Sequence, residues 1–258
     1  MDSTESSVND SNMSLRPPLK HLSNEFLEKA KRASSATISW ELSRRGFRFV
    51  YMSGVLPLKA GSVFAGRAYT LRYLPRREDH PMFPIPLELR DQYAEHVAVE
   101  SVGVGDVLVV SARGNIHAGI FGDRLVARMN YLGSAGLVTD GAIRDVPYLR
   151  EQDFPIFVRA PHGHGHIAEH WAMDVQLAVD CGNVTVYPGD LLVGDDDGVV
   201  VCPQAIAEEV IESAISQEIE ESFTRELLEE GYSVNEVHGD LPPDLEARYV
   251  EWRKARDL

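Results

Sequence analysis

Asp123, Arg144 and Asp145 are polar residues whose types and spacing could form one small-molecule site. Asp123 follows Gly122 and precedes apolar residues at helical spacing, which predicts that it begins a helix of about three turns. Arg144 and Asp145 come just after a short apolar strand at residues 137–139, and Asp145 is predicted to cap the next helix. Ligands of open α/β sheets bind beyond the carboxyl ends of strands, so these residues are predicted to meet there.

Two carboxylates and a guanidinium in one pocket could hold a cation and an anionic substrate together. Taken singly, Asp123 and Asp145 could be helix caps, and Arg144 could be a surface ion-pair partner. For each residue taken alone, the structural role is the more common one.

The stretch around Arg144 and three other segments look like signatures of a known family. The spacing of Asp123 from Arg144 and Asp145, combined with these segments, resembles the RraA-like family, which includes divalent-metal-dependent 4-hydroxy-4-methyl-2-oxoglutarate aldolases. The resemblance covers residues 35 to 215. The segments are Gly105-Asp-Val-Leu-Val-Val110, Gly141-Ala-Ile-Arg-Asp-Val146, Asp153-Phe-Pro-Ile-Phe-Val-Arg-Ala160 and the stretch from Pro188 to Pro203.

The resemblance implies an α/β fold of the swivelling β/β/α type, here with additional helices near both termini. It also implies a class II lyase that cleaves a carbon–carbon bond of a 2-oxo acid to give pyruvate, as aldolase or oxaloacetate decarboxylase, and that assembles as a homotrimer or homohexamer. By the same resemblance, Asp145 would anchor Mg²⁺ or Mn²⁺, and Arg144 would bind substrate and stabilise negative charge. Asp123 would position a water for proton transfer. The substrate carboxylate would be held by the backbone of Gly119, Ile120, Phe121 and Gly122.

Two other functions stay open at this point. One is a different metal-dependent lyase, or a dehydratase, acting on a sugar acid. The other is a protein-binding module without catalysis, like the ribonuclease regulator after which the family is named. A Schiff-base mechanism would need a desolvated lysine, and residues 103–201 contain none.

The composition of the chain argues against some classes of binding partner. The 258 residues are 44% hydrophobic and carry a formal net charge of −15, which disfavours direct binding to nucleic acid or to an anionic membrane. The sequence has no apolar run long enough for a membrane span and no signal peptide, so a cytoplasmic protein is expected. Cys181 and Cys202 lie beside apolar runs and are predicted to be buried free thiols.

The expected organisation is a disordered tail at 1–20, a single domain at 21–230 and a C-terminal helical extension at 231–258. A long irregular loop is expected at 75–87, and an Asp-Gly turn is expected within a strand pair at 191–202. Helices are predicted within 23–45 and at 89–102, 205–228 and 245–252, with strands at 50–56, 62–74, 107–112, 154–160, 175–179 and 184–187.

A histidine-rich segment runs from Pro161 to His170 and contains His162, His164 and His166 as well. Its glycines favour a loop. The histidines could ligate zinc in pairs, contact the far end of a substrate or simply be solvated. This segment departs from the family pattern, which leaves the identity of the substrate open.

Overall fold

The computed structural model describes residues 20–80 and 84–256, so most of the predicted tail and part of the predicted loop lie outside the described residues. Ser23 caps the first helix, as expected, because its hydroxyl accepts the Phe26 amide. The α-helices are α1 (Asn24–Ala30), α2 (Ser35–Arg44), α3 (Ala94–Ser101), α4 (Asp123–Tyr131), α5 (Val146–Glu151), α6 (Ala207–Glu229), α7 (Val234–Val237) and α8 (Pro243–Lys254), with 3₁₀ turns at Leu87–Gln92 and His166–Ala168.

An eight-stranded mixed sheet forms the centre of the fold. Seven strands follow the order β1-β7-β5-β3-β2-β12-β13, and β9 pairs with β2 beside that path. The strands within the described residues are β1 (Leu56–Pro57), β2 (Phe64–Pro75), β3 (Asp106–Ser111), β4 (Gly119–Phe121), β5 (Gly136–Thr139), β6 (Ala142–Ile143), β7 (Ile156–Val158), β8 (Ala160–Pro161), β9 (His170–Val175), β10 (Val179–Cys181), β11 (Val184–Val186), β12 (Leu191–Asp195) and β13 (Gly198–Cys202).

The central strands are apolar on both faces because both faces are covered. In β3, Val107 and Val109 pack toward the hairpin of β10 and β11, whereas Leu108 and Val110 pack toward α3 and α4. This alternation follows from the two-residue period of a strand. The neighbouring β2, β3, β5 and β7 run parallel, which is usual for a sheet buried on both sides.

A second, parallel sheet has three strands, β4, β6 and β8, which follow β3, β5 and β7 of the main sheet along the chain. Its order is β4-β6-β8. Because β6 follows β5 after two residues and β8 follows β7 after one, the two sheets share connections. The small sheet therefore lies at the carboxyl ends of the parallel strands, where the sequence predicts the site.

The helices near the termini cover the edge of the main sheet that is formed by β12 and β13. The helices α1, α2 and α6 pack on β12 and β13, while α7 and α8 pack on the end of α6 through Phe223, Tyr249 and Trp252. The fold class and the additional terminal helices are thus confirmed. No helix within the described ranges is long and apolar enough to span a membrane.

Candidate active site

The predicted triad converges at the end of the small sheet. The strands β4 and β6 pair in parallel, and the Arg144 amide donates to the Phe121 carbonyl at 3.0 Å. Asp123 begins α4 directly after β4, while Arg144 and Asp145 follow β6. Adjacent parallel strands thus bring together residues that are 21 positions apart in sequence.

Asp145 joins the triad through one carboxylate oxygen. Its Oδ2 accepts the Asp123 amide at 3.2 Å and lies 3.3 Å from Arg144 Nε. Asp145 occupies the N-cap position of α5, as predicted, but its side chain makes no capping bond there. The expected cap is wrong in this respect, because the residue adopts a left-handed conformation (φ 60°) that directs its carboxylate to the start of α4 instead.

Gly122 allows this close approach. A Cβ at position 122 would lie 2.4 Å from Asp145 Oδ2 and 2.9 Å from Arg144 Nε, distances at which the side chains would have to move. The small residue before Asp123 is therefore required by the close approach of Asp145 and Arg144 and not by its backbone conformation, which is extended.

Arg144 lies between Asp145 and the histidine-rich segment. A Cβ on Gly165 would lie 3.5 Å from Arg144 Nη1, so the guanidinium packs on the backbone there. The side chains of Arg144 and Asp145 keep 45% and 37% of their exposure, respectively. The site is therefore open to solvent and accessible to a small ligand.

The predicted backbone cradle at 119–122 is only partly available. The Gly119 amide donates to the His164 carbonyl at 2.7 Å, so it is not free to hold a carboxylate. The side chains of Ile120 and Phe121 are buried in the core. Binding by the remaining amides of this stretch, which includes Gly122, stays a prediction.

The histidine-rich segment is divided in the structure. His164 is exposed and His162 is half-buried, whereas His166 is largely covered and His170 begins β9 fully buried. The expected loop is confirmed, because residues 162–169 contain only an isolated bridge and one 3₁₀ turn between β8 and β9. No group of three potential His, Cys, Asp or Glu ligands occurs among the described residues.

Sequence reasoning missed a buried glutamate next to this site. Glu95 of α3 accepts a hydrogen bond from the Tyr73 hydroxyl, and His166 Nε2 lies 3.3 Å from its Oε2. Burial raises the pKa of Glu95 to about 7, partly offset by the Tyr73 hydrogen bond and by Arg144. The available signal was its position on the apolar face of α3 with Ala98, Val99 and Val102, three, four and seven residues later.

The geometry fits a magnesium-type ion at Asp145. The Asp145 carboxylate is solvent-exposed, and Asp123 contacts it through its backbone amide. A single carboxylate completed by waters is a sparse oxygen set of the kind that Mg²⁺ uses. The absence of a side chain on Gly122 leaves room for the Asp145 carboxylate. Asp145, with Asp123 beside it, would hold such an ion.

Fold and site together define an α/β protein with an acid–arginine site at the ends of parallel strands. The RraA-like family model, described as Aldolase/RraA, matches residues 35–201. The chain therefore belongs to the RraA-like family. RraAS2 of Streptomyces coelicolor, described as an unusual member of the RNase ES inhibitor RraA protein family, is 37% identical, with a TM-score of 0.72 over 80% of this chain and 98% of that one.

Two curated relatives match part of their own length. A Halalkalibacterium halodurans protein with the provisional name 4-hydroxy-4-methyl-2-oxoglutarate aldolase is 37% identical over 131 residues, which is 48% of this chain and 59% of the relative. Protein DlpA of Legionella pneumophila is 27% identical over 215 residues, covering 83% of this chain and 33% of DlpA. The chain thus spans less than two thirds of either relative.

Proposed function

We propose that this protein is a divalent-metal-dependent lyase that cleaves a carbon–carbon bond of a 2-oxo acid and releases pyruvate. The observation that carries the proposal is that Arg144 Nε and the Asp123 backbone amide both contact the same carboxylate oxygen of Asp145. This arrangement places an anion-binding fork beside a candidate cation ligand. The provisional aldolase name of the H. halodurans relative supports the same reaction class.

Each residue has a distinct task in this reaction. Arg144 offers two parallel donors to substrate oxygens and stabilises the negative charge that develops on them during cleavage. Asp123 orients a water for proton transfer to or from the substrate. A divalent ion bound at Asp145 would supply Lewis-acid polarisation of the 2-oxo group.

Two alternatives are each supported by one observation. A sugar-acid lyase or dehydratase needs an acid or base near the leaving group, and His166 with Glu95 lies close to Arg144. A ribonuclease-regulator-like module is supported by the likeness to RraAS2. Such a module would bind its protein partner without turnover and would not need the acid–arginine triad.

A substrate screen tests the proposal. Purified protein would be incubated with 2-oxo acids and sugar acids, with Mg²⁺ or Mn²⁺, and pyruvate would be followed by a coupled assay. We expect pyruvate release from at least one 2-oxo acid, its loss with EDTA and its return when metal is restored. Full activity after exhaustive chelation, or no pyruvate from any 2-oxo acid, would contradict the proposed reaction.

A further inference from the structure

A carboxyl, an imidazole and two phenols form a covered cluster beside the candidate active site. The Tyr73 hydroxyl donates to Glu95 Oε2, and His166 Nε2 lies 3.3 Å from the same oxygen. The Tyr93 hydroxyl lies 3.4 Å from His166 Nε2. The side chains of Glu95 and His166 keep only 4% and 12% of their exposure, so neither serves as a solubilising surface group.

This cluster is joined to Arg144 through the backbone of the histidine-rich segment. Gly119 of β4 donates its amide to the His164 carbonyl and forms a parallel bridge with Gly165. Arg144 Nη1 packs on Gly165, one residue before His166. The backbone at 164–166 therefore lies next to Arg144, and the His166 side chain reaches Glu95.

The electrostatic surroundings of the pair are mostly neutral or positive. Arg144 acts on both members, lowering the pKa of Glu95 and that of His166. A negative charge on Glu95 therefore opposes the field that Arg144 presents to a ligand. The titratable and charged groups that surround the pair are Tyr73 and Arg76 from β2 and the residue after it, Tyr93 and His96 from α3 and its cap, Arg144 from the end of β6, and His170 from β9.

We propose that Glu95 and His166 are positioning residues of this site, which hold one exchangeable proton beside Arg144 and thereby set how strongly Arg144 attracts a small carboxylate ligand. With the proton, the pair is neutral overall, either as acid and imidazole or as carboxylate and imidazolium. Without it, the pair carries one negative charge that weakens the attraction. By linkage, a carboxylate that binds at Arg144 takes up a proton on this pair.

The protonation preferences of the two groups agree with this geometry. Burial raises the pKa of Glu95 to about 7, and burial lowers the pKa of His166 to about 4. The shared proton therefore resides on the carboxyl and is lost near neutral pH. The inference rests on the proposed function only in taking the ligand of Arg144 to be a small carboxylate.

Calorimetric binding of oxalate in the presence of Mg²⁺ tests the proposal without any turnover. For the wild-type protein we expect affinity to fall about fivefold or more from pH 6 to pH 8, with proton uptake revealed by buffers of different ionisation enthalpy. Glu95→Gln should remove both effects. Glu100→Gln, on the exposed side of the same helix, is the matched control and should behave as the wild type.

Tyr73→Phe provides a directional test that a merely structural role would not satisfy. Its hydroxyl stabilises the ionised carboxyl, so its loss should move the midpoint of the pH dependence upward. The proposal is overturned if oxalate does not bind the wild type, if Glu95→Gln keeps the pH dependence, or if Tyr73→Phe leaves the midpoint unchanged. Failure of the proposed lyase reaction would appear separately, as oxalate binding without pyruvate release in the substrate screen.

Discussion

Arg144 pairs with Asp145 through Nε, and its Nη1 lies near Gly165, 3.5 Å from where a Cβ would stand. The guanidinium is 45% exposed, and its Nη donors are not used by the bond to Asp145. Lysine would place a single charge on a flexible stem and could not provide two parallel donors. The role of Arg144 in the proposed reaction therefore depends on the shape of its side chain as well as on its charge.

We expect Arg144→Lys to lower kcat/KM by roughly 10²–10³-fold while the protein stays folded, as for loss of one preorganised donor to a developing charge. Steady-state kinetics on the substrate from the screen, with circular dichroism as a folding check, would measure this. Arg150→Lys, on the exposed side of α5, is the control and should leave kinetics unchanged. Near-normal turnover of Arg144→Lys would remove this residue from the transition state.

The raised pKa of Glu95 also predicts how the free energy of unfolding changes with pH. Its folded pKa of about 7 exceeds the ordinary value of 4.5, so the folded state binds more protons between these values. The unfolding free energy contributed by this group therefore falls as pH rises through this window. Ionised Glu95 costs about 3 kcal/mol at pH 8, from about 1.4 kcal/mol for each pKa unit.

Glu95→Gln should consequently be more stable than the wild type at pH 8 and close to it at pH 4.5, as measured by urea unfolding. His166 acts in the opposite sense, because its pKa is lowered from 6.5 to about 4 and its contribution is lost as pH falls through that range. The comparison is therefore made between the variant and the wild type at each pH. Equal stability of the two at pH 8 would show that Glu95 is not ionised at a cost.

At the scale of elements, the small sheet brings the site residues together, because Asp123 follows β4 while Arg144 and Asp145 follow its neighbour β6. The sequence predicted α4, β5 and the strand pair at 191–202, because helical spacing, an apolar run and an Asp-Gly turn are local signals. It did not predict that β4, β6 and β8 pair with one another, since pairing between two- and three-residue strands depends on the larger sheet that they extend.

Other element boundaries differed for physical reasons. The helix predicted at 89–102 is divided into a 3₁₀ turn and α3, with the break at Tyr93, whose backbone is extended. The strand predicted at 175–179 is wrong, because residues 176–178 lie between two strands. The strand before them, β9, covers His170–Val175, since β2 is long enough to pair with these residues. The buried thiols of Cys181 and Cys202 were predicted correctly.

Gly122→Ala tests whether the contact between the start of α4 and Asp145 supports function. The added Cβ must displace Asp145 Oδ2, and we expect a stability loss of about 1–3 kcal/mol together with a larger loss of turnover. Thermal unfolding and kinetics would measure the two effects. Gly163→Ala, where a Cβ has nothing within 4 Å and φ is not positive, should be nearly neutral in both.

At the scale of the whole molecule, association into a homotrimer or homohexamer stays a prediction. The 28.7 kDa chain exposes large apolar side chains, among them Phe49 at 85% and Tyr131 at 81%, which are suitable contact residues in an assembly. Sedimentation equilibrium should give three or six times the chain mass. A species of one chain mass at micromolar concentration would contradict this expectation.

The left-handed backbone conformation of Asp145 lowers the stability of the fold, whereas its carboxylate is needed for the proposed activity. A non-glycine residue in this region costs of order 1 kcal/mol, whereas glycine or asparagine adopts it more readily. We expect Asp145→Gly to match or exceed the melting temperature of the parent and to lose activity, as differential scanning calorimetry and the pyruvate assay would measure. A lower melting temperature would mean that the contact with Asp123 outweighs the strain. Selection of random variants for heat resistance alone should therefore enrich changes at this position, and only a simultaneous demand for turnover would preserve the aspartate.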